Sequence, residues 1–193
     1  MARTREFDLN AAVDAAMGVF RAKGYEGASM RDLAEATHLG SGSLYAAFGS
    51  KEGLYLAALD RYRQHYATPL VDILHSSADF RELIREVFVA VVDDIVGDGQ
   101  RMACLIVGAA VERAHFDERV VDRLRSTTHG LELALYDVLA EAQLRGQIPA
   151  GRSARDLAGF LVTHLQGLRV MGSISSDRAA LMRSAEVALS CLG

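Results

Sequence analysis

The sequence predicts an all-α protein, and three observations carry that prediction. Apolar residues recur at helical spacing, as in Leu9, Val13, Ala16 and Phe20, and no stretch alternates convincingly at the period of a strand. The 193 residues are 50% hydrophobic, with two prolines and no tryptophan. Long helices therefore face few interruptions, and there is apolar surface for a substantial core. Capping residues and glycines cut the chain into nine helical segments, for which helix-on-helix packing is the architecture available.

In order, residues 1–7 read as a short arm carrying Arg3 and Arg5. It is either a loose tail or a segment that lies against a phosphate backbone or in a minor groove. Asp8 caps a first helix to about Lys23, and Gly24 ends it as a C′ glycine would. Ser29 and Asp32 have the S-x-x-D spacing of a capping box, with Met30, Leu33 and Ala34 on one face of the helix that follows. Thr37 to Gly42 breaks that period, and Leu44, Tyr45 and Phe48 resume it. Ser50 caps a longer helix from Lys51 to about Pro69, where it should end or kink.

Asp72 to Ala78 reads as a polar connection. Asp79 and Glu82 open a helix to about Val96, stopped by Gly97-Asp98-Gly99. Met102 to Ala114 is apolar nearly all round its first half and should be deeply buried. Asp117 opens a long helix to about Arg145. A turn, Gly146 to Gly151, leads to a helix capped by Ser153 and Asp156 and running to about Met171. Gly172 to Ser176 breaks it, and Asp177 opens the last helix, to about Leu192.

The formal charge is −4 and residues 1–64 hold eight basic and eight acidic side chains, so no broad positive field exists. Any contact with nucleic acid must rest on a few placed cations and on helix amino termini. The two cysteines, Cys104 and Cys191, form no C-x-x-C pair, which suits a reducing cytoplasm. No signal peptide is visible, and the longest apolar run, Ala103 to Val111, is far short of the roughly 20 residues that span a bilayer. A cytoplasmic protein without a membrane partner is the expectation. No nucleophile–base spacing, H-E-x-x-H, phosphate loop or paired carboxylates in an apolar setting is found, so no catalytic residue, metal site or cofactor is expected.

The stretch from Ser29 to Lys51 organises the rest. Two helices this short bury little surface alone. Their use is to hold the second out as a reading head, the helix-turn-helix arrangement. The segment S-G-S-L-Y-A-A-F-G-S-K-E-G-L, Ser41 to Leu54, resembles the DNA-binding signature of the TetR family of bacterial transcriptional regulators. Phe20, Gly24, Tyr25, Leu33, Ala34 and Leu39 extend the match. Two positions depart from the usual pattern: His38 stands where the turn commonly has glycine, and Ser41 where lysine or another polar residue is frequent.

The resemblance implies a nine-helix TetR-like architecture. Residues 1–52 would form an N-terminal helix-turn-helix three-helix bundle, and residues 53–193 a ligand-sensing and dimerisation domain. It implies a homodimer on a pseudo-palindromic double-stranded DNA operator, released by a small-molecule effector. On the first domain, Ser41, Gly42, Ser43 and Tyr45 would face DNA, and Lys51, with Arg31, would meet phosphate. Tyr45 could otherwise be a core aromatic, and each cation a solvated charge.

The last two helices carry apolar faces through Leu157, Phe160, Leu161, His164, Leu165 and Leu168 and through Leu181, Met182, Ala185 and Leu189. They are either internal core or a two-fold four-helix interface, and the resemblance favours the interface. For the effector, Phe88, Cys104, Val107 and Val111 could line a cavity or fill a solid core. His129, Tyr136, His164 and Gln166 could supply orienting polar groups. Cys104 is either a buried inert thiol or a group answering oxidation or a soft metal.

Overall fold

The computed structural model describes residues 2–76, 79–97 and 104–192, with side chains from Leu9 onward. Its elements are α1 (Ala2–Gly27), α2 (Met30–Thr37), α3 (Ser41–Phe48) and α4 (Lys51–Tyr62). A π-helical stretch (Arg63–Ala67) leads to α5 (Thr68–Leu74). Then come α6 (Phe80–Gly97), α7 (Leu105–Glu112), α8 (Glu118–Leu144), α9 (Ala154–Ile174) and α10 (Arg178–Ser190). Because α4, the π stretch and α5 follow without a break, the described residues hold the nine helices that the sequence predicts, and no strand.

The chain forms two compact units. The first takes residues 1–65 and 103–125, the second residues 66–102 and 126–193. The first unit thus extends beyond residue 52, because α1 packs against α4 and α7 as well as α2. Its core joins Ala16, Phe20, Leu33, Leu44, Leu54 and Leu59, all nearly inaccessible to solvent. Tyr55 lies edge-on to both Phe20 and Tyr25, with ring centroids 4.8 and 4.9 Å away. Such pairs add about 0.5–1.5 kcal/mol each beyond the area they bury.

In the second unit α6 packs against α5, α9 and α10. Ile84, Val87, Phe88, Leu135, Leu139, Leu161 and Leu165 make its centre. Gly172 lies where α9 runs so close to α6 that a Cβ would collide with Ile95. Arg169 and Asp94 form an ion pair of 2.7 Å between the same helices. The outer face of α9 is different: Phe160, Val170, Met171 and Ile174 are exposed apolar residues, joined on α10 by Val187.

Several boundaries differ from expectation. The arm is helical from Ala2, because nothing between Ala2 and Asp8 is a helix breaker, so Asp8 lies inside α1 and not at its start. The side chains of Arg3 and Arg5 lie outside the described residues. Gly24 does break the helical geometry where the sequence predicts, at φ 72°, and only a short helical turn continues beyond it to Gly27. Near Pro69 the α-helical geometry is interrupted, as expected: it stops at Tyr62 and restarts at Thr68. Pro69 sits in the first turn of α5, and the π stretch before it absorbs the missing amide and the ring. Asp72 to Leu74 is helical, held by the buried Leu70 and Leu74, while residues 77 and 78 of the expected connection lie outside the described residues. So do residues 98–103, which hold the rest of the glycine stop and the expected start of α7, Met102; Cys104 is the N-cap. Helix α9 runs past Met171 to Ile174, since Gly172 serves close packing there and does not break the helix.

Candidate nucleic-acid interface

Local chemistry fixes the entry to the two short helices. The Ser29 hydroxyl accepts from the Asp32 amide at 3.1 Å, and the Asp32 carboxylate accepts from the Ser29 amide at 2.9 Å. The same carboxylate meets Lys23 of α1 at 2.7 Å. Its pKa lies well below the ordinary value because Lys23 and then Ser29 hydrogen-bond to the charged form. The turn that follows is left-handed at His38, φ 55°, the one described residue other than glycine with positive φ. That is the physical reason glycine is usual there. Helix α3 then starts at Ser41, and Ser50 caps α4 by accepting from the Gly53 amide at 3.1 Å.

Helix α3 buries Leu44 and half-buries Phe48, leaving Ser41, Gly42, Ser43, Tyr45, Ala46 and Ala47 exposed. Tyr45 is 50% exposed and is not a core aromatic. Arg31 is exposed in the first turn of α2. Lys51 is half-buried in the first turn of α4, its ammonium 4.4 Å from the ring centroid of Tyr25. The six residues expected to meet DNA therefore all belong to the helix-turn-helix or the helix start that follows it.

Sequence reasoning missed what steadies this end of the unit. Glu112, the last residue of α7, accepts from the amides of Tyr25 at 2.7 Å and Glu26 at 3.3 Å, just beyond the kink. A Cβ at Gly24 would collide with that carboxylate. Arg113 lies 4.3 Å from the Tyr25 ring centroid and bridges to Glu26 and Glu52 at 3.5 Å each. Burial raises the Tyr25 pKa, with Glu52 adding to the effect. These partners are remote in sequence, and no local spacing announces them.

The eight residues expected around an effector divide between the two units, five in the second and three in the first. Phe88 and His164 meet in the second unit, ring centroids 5.7 Å apart, with Phe160 5.9 Å from His164 on α9. The Ser184 hydroxyl lies 3.4 Å from His164 Nε2. The Oε1 atom of Gln166 is buried without a hydrogen-bond partner among the described residues. Tyr136 lies under the Arg155 guanidinium, 5.4 Å from its ring centroid. His129 is exposed beside Glu132.

Cys104, Val107 and Val111 belong to the first unit, where Cys104 is buried, Val107 half-buried and Val111 74% exposed. The Tyr62 hydroxyl donates to Cys104 Sγ at 3.4 Å. A cavity of about 230 Å³ beside Cys104 is bordered by Phe20, Arg21, Tyr55 and Glu112. A larger one in the second unit, about 330 Å³, is lined by Leu74, Phe80, Leu83, Asp137 and Glu141 among others, and by none of the eight. Among the described residues, no group of three His, Cys, Asp or Glu is placed to hold a metal ion. No helix there is long and apolar enough to cross a membrane.

An exposed short helix, held out by a capped partner and followed by a lysine at a helix start, defines a helix-turn-helix DNA-binding protein. Residues 12–58 match the family model of bacterial regulatory proteins of the tetR family, and residues 81–188 that of the tetracyclin repressor-like C-terminal domain. The chain belongs to the TetR family and is a DNA-binding transcriptional regulator. It is 29% identical over 188 residues to the HTH-type transcriptional repressor ComR of Escherichia coli K12, covering 97% of this chain and 90% of ComR. It is 28% identical to the uncharacterised HTH-type regulator YezE of Bacillus subtilis 168, over the full length of both. A cysteine mutant of the TetR family regulator CifR, solved with a 26-bp double-strand operator, superposes with a TM-score of 0.85. It is 33% identical, over 95% of this chain and 96% of that one.

Proposed function

We propose that this regulator is a cytoplasmic, homodimeric repressor that binds a pseudo-palindromic operator and leaves it when a small organic effector binds. The observation that carries the reading is the outward set on α3, Ser41, Gly42, Ser43 and Tyr45, around a buried Leu44. Two such sets must enter successive major grooves about 34–36 Å apart. Arg31 and Lys51 would supply phosphate contacts on either side. The faces expected to pair, through Leu161, Leu165 and Leu168 on α9 and Leu181, Ala185 and Leu189 on α10, lie in the second unit's own core, so two copies would pair instead through the exposed Phe160, Val170, Met171, Ile174 and Val187. Family relatives described as repressors support the direction of control.

Effector binding would favour a dimer whose reading helices are wrongly spaced. In the second unit, Phe88 and His164 pack against each other, and Gln166 Oε1 is a buried acceptor without a donor among the described residues, which a ligand N–H or O–H would supply. A second reading is favoured by one observation: Cys104 is the N-cap of α7, beside a cavity and within 3.4 Å of the Tyr62 hydroxyl. There the signal would be oxidation of, or a soft metal on, this thiol.

One titration separates the two. The complex with DNA selected from a randomised duplex library is followed by fluorescence anisotropy while peroxide, Cu(I) and a panel of lipophilic molecules are added. Release by a lipophile, equally in Cys104→Ser, supports the organic effector. Release by peroxide or Cu(I) alone, lost in Cys104→Ser, replaces it with the thiol reading.

A further inference from the structure

On α3, Leu44 faces the core with Phe48. At about 100° per residue, Ala46 lies roughly 200° round the helix from Leu44, pointing away from the core. Gly42 and Ser43 precede Ala46 by one turn on the same side, while Tyr45 and Ala47 lie on the flanks. The outward line of the reading helix is therefore glycine, serine and alanine.

The whole of α3, Ser41–Phe48, carries no Arg, Lys, Asn, Gln, Asp or Glu. Those are the side chains that make paired contacts to guanine or adenine or accept from cytosine in the major groove. What remains is two serine hydroxyls, one phenol and the methyl groups of two alanines. A hydroxyl donates or accepts and so discriminates bases weakly. An exposed methyl group has a specific counterpart in that groove, the 5-methyl of thymine. A side chain of one carbon reaches a base only if the helix backbone comes close, and Gly42 and Ser43 beside it are small enough to allow that.

We propose that Ala46 is a specificity-determining residue, packing its methyl group on the 5-methyl group of a thymine in each half-site. The inference rests on α3 being the helix that enters the major groove. Base choice in this regulator then comes from apolar contact at Ala46 more than from hydrogen bonds to base edges.

The test uses the full chain and duplexes enriched from a randomised library. Each thymine of the selected site is replaced, one at a time, by deoxyuridine, which keeps every hydrogen-bonding group and lacks only the methyl. One position per half-site should lose affinity by about fourfold, the effect of one buried methyl group. In Ala46→Gly that penalty should vanish, with the other positions unchanged. Since glycine loosens a helix, Ala46→Ser is measured beside it, and it should lose the penalty at the same position. Wild type that binds every deoxyuridine duplex as tightly as the thymine one overturns the proposal. So does a penalty that persists in both variants. A library that yields no enriched sequence overturns instead the assignment of α3 as the reading helix.

Discussion

The carboxylate of Glu112 accepts a hydrogen bond from the backbone amide of Tyr25, 2.7 Å away in space and 87 positions away in sequence. At the Gly24 kink, α1 leaves helical geometry and its next amides need acceptors. Glu112 takes two of them, those of Tyr25 and Glu26. Replacing it with alanine leaves both without that partner, and should cost about 1–3 kcal/mol in urea unfolding of the full chain. Glu112→Gln keeps a carbonyl acceptor and should cost less. Gly24→Ala should be destabilising as well, for two reasons: the positive φ and the collision with the same carboxylate. Wild-type stability in Glu112→Ala would remove the contact from the account.

Lys51 bears on affinity rather than on fold. Its ammonium rests 4.4 Å from the Tyr25 ring centroid, which limits where the charge can go before DNA arrives. A cation at a helix start is unfavourable to the helix dipole and is offset when a phosphate takes the same amides. Lys51→Ala should weaken binding to all duplexes alike and lower the slope of log affinity against log salt by about 1. The measurement is anisotropy over a salt series. An unchanged slope would take Lys51 off the phosphate contacts.

His38 should be a point of avoidable strain. It holds φ 55° at the end of α2, where residues with a Cβ are disfavoured. His38→Gly relieves that strain but adds freedom to the unfolded chain, so the net gain should be about 0.5–1 kcal/mol. A rise in the urea midpoint with unchanged slope is the expected result. A fall would mean that the histidine side chain contributes more to the fold than its backbone costs.

Much of the fold was legible because its signals are local. Ser29 with Asp32, Ser50, Ser153 and Asp177 cap the helices that their spacing announces. Leu44 is buried and Tyr45 exposed, as a helical period through α3 requires. The failures share a cause. Gly24 breaks α1 as it reads, but the acceptor on α7 that takes the amides beyond it has no local signal. Val111 reads as a cavity wall, yet it is 74% exposed: α7 is apolar on nearly every side, so its period cannot say which side is inward. Phe88 and His164 were both expected near a ligand and do meet, but their contact joins α6 to α9 and no spacing encodes it. Ala46 gives no signal in a sequence, and its interest comes from where α3 points it.

Acid should weaken the first unit. Asp14 is held below the ordinary carboxylate pKa by its hydrogen bonds to Arg61, Asp32 by Lys23 and Asp117 by Arg119. A carboxylate with a lowered folded pKa stabilises the fold above its unfolded value, about pH 4, and that contribution is lost as pH falls through the folded pKa. Unfolding followed by circular dichroism should therefore show stability falling below about pH 4. In Asp14→Asn the plateau should be lower and the acid fall shallower, since one of the three titrations is gone. An acid limb of the same steepness would show that the Asp14–Arg61 pair contributes nothing.

Pairing of two copies should depend on the outer face of α9. Met171 and Ile174 lie there 56% and 63% exposed, with Val170 and Phe160 along the same helix. Large apolar residues left exposed in a row at helical spacing are unfavourable in a monomer and favourable when a second copy covers them. A carboxylate placed among them would have to be buried unpaired on association, at a cost of several kcal/mol, yet would remain solvated in the single chain. Ile174→Glu should therefore leave the helical content and unfolding of the isolated chain near wild type. In sedimentation it should halve the particle mass, and it should abolish binding to a duplex carrying two half-sites. If Ile174→Glu still sediments with the wild-type protein, the two-fold contact lies elsewhere. If wild type itself sediments as a single chain, the operator must be read one half-site at a time, and the 34–36 Å spacing drawn from paired readers no longer constrains it.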